Sequence, residues 1–373
     1  MERLKRHIPR VTTFDLMRGY FMVAIIIDHL NFFPNGLGWW SARGGLFVTA
    51  AEGFFLISGI VLGIVRGSKL IDKPMRVVCS VLLKRGVQLY LTIVTLVLVF
   101  TVIGWHYYGF TGLKPGILPP GTDAWTVIWS AFSLQYYYGW ADYLRLYAIF
   151  LLLSPLVFWM LRRGWWYLVL ALSLFVWTLY PNDPSMGYDM RVYLQPISWQ
   201  LLFFIGTIIG FHWNHVLDGW RSVSRRTQRW ATGLLLSFAG VTFAINVGIM
   251  LSTMGYDMGS ILTPQLQQDL YINFFDKERM PITRVLLALS WFWSGFYLFK
   301  KFEKPIRKFL GWLLLPFGTN SLYVYTLHAF AVFFVDLYLV PGSLWFNFII
   351  TAGVILLIRL AVHYKLLMSI IPR

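Results

Sequence analysis

The sequence predicts an all-α integral membrane protein, a bundle of about ten transmembrane helices, on three observations. First, 58% of the 373 residues are hydrophobic and only 13% are charged, with a mean hydropathy of +0.63. A soluble domain carries roughly 25% charged residues, so half that share leaves too little polar side chain to cover a water-exposed globule. Second, the apolar residues gather into runs of spanning length, which needs ~20 residues at a rise of 1.5 Å each. Third, Lys and Arg concentrate in alternate connecting segments, as they do in multi-pass proteins.

The runs cover 14–33, 46–65, 77–104, 143–161, 165–181, 196–212, 230–252, 282–299, 311–335 and 343–367. Pro34-Asn35-Gly36, Pro115-Gly116, Pro119-Pro120-Gly121 and Pro341-Gly342 punctuate them. The connectors 105–142 and 253–281 are long for plain loops and are expected to carry short helices. The chain reads as a single transmembrane domain over 1–373.

Basic residues mark one side. They are Arg3, Lys5, Arg6 and Arg10, then Arg66, Lys69, Lys73 and Arg76, then Arg162 and Arg163. Arg221, Arg225, Arg226 and Arg229 follow, then Lys300, Lys301, Lys304, Arg307 and Lys308. The intervening segments hold Asp123, Asp142, Asp183, Asp189, Asp257, Asp269, Asp276 and Glu278. This alternation predicts an even number of spans, with both termini on the cytoplasmic side of the cytoplasmic (inner) membrane. It accounts for the net charge of +16 with the lipid bilayer as partner and no nucleic acid. The single cysteine, Cys79, excludes an internal disulfide. No His, Asp or Glu group has metal-ligand spacing, so no metal and no resident cofactor is expected.

Ionisable groups in a bilayer cost ~2.5–3.5 kcal/mol each on insertion scales and point to function. The first run contains Asp15, Arg18, Asp28 and His29. Arg18 and His29 are eleven residues apart, three turns with a drift of ~20°, so they share one face about 16 Å apart. Asp15 lies a turn before Arg18 and can pair with it. Asp28 points ~100° away from His29 and reads as a contact to a neighbouring helix. Glu52 opens the second run and His328 sits in the ninth, both near the depth of His29. A carboxylate beside an imidazole fixes its tautomer and raises its basicity. Lys84 and Arg85 open the third run near the depth of Arg18 and suit the phosphates of a nucleotide-type donor. Each has a structural reading beside it: snorkelling for Arg18 and positive-inside placement for Lys84 and Arg85. A packing hydrogen bond would account for Glu52. Gly59-x-x-x-Gly63 is a small-residue packing face.

The run Phe14-Asp15-x-x-Arg18-Gly19 with Asp28-His29, followed by Glu52-Gly53-Phe54-Phe55-x-x-Ser58-Gly59, is similar to the opening of OpgC proteins within the membrane acyltransferase family 3 superfamily. Tyr143-Leu144-Arg145-Leu146-Tyr147, Trp199-Gln200-Leu201-Leu202-Phe203-Phe204-x-Gly206 and Gly318-Thr319-Asn320-Ser321 through His328 extend the resemblance over residues 11–330. It implies an acyl-CoA donor from the cytosol as co-substrate and a carbohydrate hydroxyl as acceptor. In the superfamily a first-helix Arg and His form the functional pair, and Arg18 and His29 match them. Lys84-Arg85 matches the third-helix basic run in part, since that run is richer in arginine.

The expected activity is O-succinyl transfer to a glucan or related surface polysaccharide, with His29 as general base. Glu52 is expected to orient His29, with Asp28 beside it. Arg18, Asp15, Lys84 and Arg85 are expected on the donor side. His328, Tyr325, Arg145, Trp199 and Gln200 are expected on the acceptor side, where Trp199 is also a candidate oxyanion donor. Two other readings share these residues: O-acetylation of a lipid, glycan or small molecule, and transport of charged solutes.

Overall fold

The computed structural model describes residues 10–108, 122–136, 140, 142–183, 185–368 and 371. Arg3, Lys5 and Arg6, the side chains of Lys69, Asp142 and Asp189, and the punctuation at Pro115-Gly116 and Pro119-Pro120-Gly121 lie outside the described residues. The described chain folds as α1 Thr12–Leu30, α2 Ala50–Leu70, α3 Met75–Tyr108, α4 Ala124–Phe132, α5 Asp142–Arg162, α6 Trp166–Thr178 and α7 Tyr188–Phe211. It continues with α8 Trp213–Ser222, α9 Arg225–Thr253, α10 Pro264–Phe274, α11 Ile282–Lys301, α12 Glu303–Thr319, α13 Ser321–Tyr338 and α14 Leu344–His363.

Among the described residues, α2, α3, α5, α7, α9, α11, α13 and α14 are long and apolar enough to cross a bilayer, which makes this a multi-pass membrane protein. Their outward faces are apolar: α3 exposes Leu83, Val87, Leu91 and Val102, and α9 exposes Leu234, Phe238, Val241 and Ile245. In water such faces would aggregate; in hydrocarbon they are solvated. The charges of α1 and the 13-residue length of α6 keep those two below the same standard. Both long connectors contain a short helix, α4 in one and α10 in the other.

The run over 311–335, expected as one span, is two helices. The chain leaves helical geometry at Asn320 (φ −120°, ψ 33°), so α12 and α13 are separate rods. Pro316 removes a helical N–H just upstream, and the polar Gly318-Thr319-Asn320-Ser321 stretch supplies the turn.

Two glycine contacts position the site. Gly59 and Gly63 of α2 meet Gly206 and Gly210 of α7, each against a backbone carbonyl of the other helix, so a methyl at any of them would collide with main chain. The α2 packing face read from sequence therefore has a matching face on α7. Likewise Gly19 of α1 abuts the Leu314 carbonyl and Gly318 abuts the Asp15 carbonyl. That backbone contact sets α12 against α1 at the level of Arg18. From there α13 climbs beside α1: ten residues separate Gly318 from His328, and eleven separate Arg18 from His29. Equal rise brings the two histidines level.

Candidate active site

His29 Nδ1 and His328 Nε2 are 2.8 Å apart. His328 Nδ1 lies 3.0 Å from the Tyr325 carbonyl oxygen, which can only accept, so that nitrogen carries the proton. His328 Nε2 is then an acceptor, and His29 Nδ1 must be the donor to it. The proton of neutral His29 is thereby fixed on Nδ1, leaving the Nε2 lone pair uncommitted to any hydrogen bond among the described residues. Burial distinguishes the two rings. His328 is 0% exposed, whereas His29 is half-buried and open on one side. Trp140 stacks on His29 with centroids 4.1 Å apart and holds its plane.

Glu52 does not orient His29. Its Oε1 accepts from Nε of Arg284 at 2.6 Å, and its Oε2 accepts from the Thr49 backbone N–H at 2.9 Å and the Thr49 hydroxyl at 2.7 Å. Glu52 and Arg284 are both fully buried, so this pair pins the start of α2 to the start of α11. Orientation of His29 falls to His328 instead. Asp28 accepts from the Ser41 hydroxyl and anchors the 31–49 loop.

The 275–281 loop roofs this end. Trp199 Nε1 donates to the Lys277 carbonyl at 3.0 Å, Ser198 Oγ to the Glu278 carbonyl at 2.6 Å, and Trp177 Nε1 to the Met280 carbonyl at 2.9 Å. Asp276 accepts from the N–H groups of Glu278 and Arg279 and from Arg191. Burial, with Asp276 alongside, pushes the Glu278 carboxyl above its usual range. From this roof Lys277 projects over the Tyr143 ring, its Nζ 5.4 Å from the centroid.

At the other end of α1, Arg18 Nη1 donates to the Gly318 carbonyl at 3.3 Å, while its Nε is buried without a hydrogen-bond partner. Asp15 is taken by Arg10 at 2.6 Å and not by Arg18. The Arg18 and Arg85 guanidiniums both interact with the Tyr147 phenol of α5, and Arg66 of α2 acts on Arg85 from the other side. Lys84 is exposed on the outside of α3, and Arg85, turned ~100° from it, is half-buried.

One family matches residues 10–369, the family described as OpgC protein. The chain belongs to the OpgC family. Searches of curated proteins and of solved structures gave no match. The OpgC match takes in all fourteen helices, so the histidine pair, the Arg18 end and the 275–281 roof lie within the family's extent.

Three residues expected on the acceptor side of this OpgC protein donate to backbone carbonyls. Arg145 donates to the carbonyls of Leu134 and Val192. Trp199 spends its only N–H on Lys277, which removes it as an oxyanion donor. Gln200 donates to the carbonyls of Ser173 and Ile197. All three tie helices and loops together at the His29 end. Tyr325 packs edge-on to His328, with centroids 4.9 Å apart. An apolar cleft of about 470 Å³ runs between α1, α9 and α11, lined by Tyr20, Ala24, Trp40, Phe243 and Trp291 among others. Tyr20 and Ala24 sit ~100° or more from the Arg18–His29 stripe, so the cleft belongs to a different face of α1. Sequence reading missed Lys277 and Arg284; the signal for Lys277 was the run Asp276-Lys277-Glu278-Arg279 ahead of a proline-led helix, and that for Arg284 was a charge inside the apolar run 282–299.

Proposed function

We propose that this protein is an acyl-CoA-dependent O-acyltransferase of the cytoplasmic membrane, moving a succinyl-type acyl group to a hydroxyl of an extracytoplasmic glucan. Membership of the OpgC family supports a glucan-modifying transferase. The observation that carries the reading is the proton order across His29 and His328, which leaves a basic nitrogen on the half-buried ring. A general base requires that arrangement: a lone pair in reach of the acceptor and a partner that fixes the tautomer.

In this mechanism His29 Nε2 takes the proton of the acceptor hydroxyl as its oxygen attacks the thioester carbonyl carbon. The C–O bond forms, the carbonyl electrons move onto oxygen, and the resulting oxyanion collapses with cleavage of the C–S bond. The imidazolium returns its proton to the departing thiolate, leaving ester and free thiol. His328 keeps the imidazole in register throughout, since its Nε2 accepts from His29 Nδ1 in both protonation states. At the other end, Arg18 and Arg85 face no carboxylate within 4 Å among the described residues, and they are the groups for the donor's phosphates. With basic segments on the cytoplasmic side, both termini are cytoplasmic and the donor enters from the Arg18 end.

The test is turnover by purified protein in lipid nanodiscs, given radiolabelled succinyl-CoA and a glucan oligosaccharide. Label should pass into ester-linked glucan with the native chain and about 10²-fold or more slowly with His29→Ala. Ester formation at the native rate by a folded His29→Ala protein would rule out the base assignment.

A further inference from the structure

The 275–281 roof is held by its backbone. Carbonyls of Lys277, Glu278 and Met280 are clamped by Trp199, Ser198 and Trp177, so the position of residue 277 is set before any ligand arrives. What the clamps leave over is the Lys277 ammonium. It is half-buried, and among the described residues no carboxylate lies within 4 Å of it. Of the other cations of this end, Arg284 pairs with Glu52 and Arg191 with Asp276, Arg145 and Arg279 donate to backbone carbonyls, and Arg43 lies over the Phe33 ring.

Where that ammonium sits follows from its aromatic platform. Tyr143, under Lys277, is three residues from Trp140, which stacks on His29. Tyr143 also packs against Phe55, 5.7 Å between centroids, one turn beyond Glu52. Lys277 acts electrostatically on His29, on Asp28 and on Glu52, so it lies within electrostatic reach of three groups on two helices. Yet Glu52 is saturated by Arg284 and Thr49, and Asp28 is held by Ser41. An ammonium beside the reacting centre, with its neighbours' acids engaged elsewhere, is matched by an anion on the substrate. A neutral acyl chain and a neutral sugar would leave it without an ion-pair partner within 4 Å among the described residues.

We propose that Lys277 is a specificity-determining residue that binds the free carboxylate at the far end of a dicarboxylic acyl group, selecting it over neutral acyl groups of similar length. The inference rests on the acyl-transfer reading above and adds to it the residue that reads the acyl chain. The Tyr143 ring beneath the ammonium holds it over the platform by cation–π attraction and keeps it from swinging away from the site.

The experiment compares succinyl-CoA with butyryl-CoA, a neutral donor of the same carbon count, on the full-length protein in nanodiscs with a glucan oligosaccharide. In Lys277→Gln the kcat/KM ratio of succinyl over butyryl should fall about tenfold or more, the size of a charged hydrogen bond. Lys277→Arg should keep that ratio. A ratio unchanged in Lys277→Gln overturns the proposal, whether both donors lose activity together, as for an oxyanion or folding role, or neither does. In the native chain, free succinate should compete with the donor and free butyrate should not; equal inhibition by the two also overturns it. Native protein that transfers no acyl group would remove the acyl-transfer reading and this inference with it, a result distinct from active but unselective turnover.

Discussion

His29 donates to His328 across 2.8 Å, and His328 donates in turn to the Tyr325 carbonyl, so one chain of hydrogen bonds orders both imidazoles. The buried ring serves the half-buried one. Replacing His328 by Ala frees the His29 ring to turn and to exchange tautomers while its nitrogen survives. The expected outcome is a kcat lowered about 10–100-fold with donor KM within about twofold, against a loss of the whole general-base factor, about 10²–10⁴, in His29→Ala. Steady-state kinetics on the two variants check the order of the effects.

Glu52 and Arg284 form a buried pair whose separate halves are costly. Arg284→Leu leaves a carboxylate in apolar surroundings and should lower stability by about 3–5 kcal/mol. The double variant Glu52→Leu with Arg284→Leu should recover most of that loss. Thermal unfolding in detergent measures both. A Glu52→Gln protein of native stability but depressed kcat would speak instead for a direct part in catalysis.

The donor end separates neighbours in sequence. Arg18→Ala should weaken CoA binding about tenfold, the value of a charged phosphate contact, and Arg85→Ala should act in the same direction. Lys84→Ala, one residue away on the exposed side of α3, should leave affinity unchanged. Calorimetric titration with CoA distinguishes the three.

The roof should loosen as pH rises. Burial and Asp276 push the Glu278 carboxyl above its usual 4.5, so the folded protein holds this proton more tightly than the unfolded chain. That stabilisation is complete below 4.5 and is lost as pH climbs through the raised value. Hydrogen exchange over residues 275–281, corrected for intrinsic rates, should show more opening across that interval. Glu278→Gln, neutral throughout, should abolish the trend.

Much of this arrangement was legible in the residues, and the gaps have physical causes. Apolar run length located the spans, because a bilayer demands about twenty residues and little charge. Helical periodicity placed Arg18 and His29 on one stripe, and depth counting brought His328 level with His29. The histidine contact itself depends on Gly19 and Gly318 letting backbones touch, a pairing across 300 residues that no local pattern reports. Glu52 was read as His29's partner because both lie at one depth, but depth says nothing of direction around a helix, and Arg284 claims it. Arg284 reads as a lone charge at the start of the 282–299 run and Lys277 as ordinary loop charge. Only the folded roof buries the first and strands the second. Arg145, Trp199 and Gln200 carry the groups of a binding groove, yet loops packed over a bundle need donors for their carbonyls, and that need takes them.

The Gly19–Gly318 contact also turns α1 into a gauge. Main chain is pressed to main chain where α12 meets one end of α1, and imidazole is joined to imidazole where α13 meets the other, so α1 is held at both ends. The axial separation of Arg18 and His29 is then set by helical rise, about 16 Å. A carrier gripped by its phosphates at Arg18, as proposed, would deliver its cargo at a fixed depth, and an arm cut shorter would stop below His29.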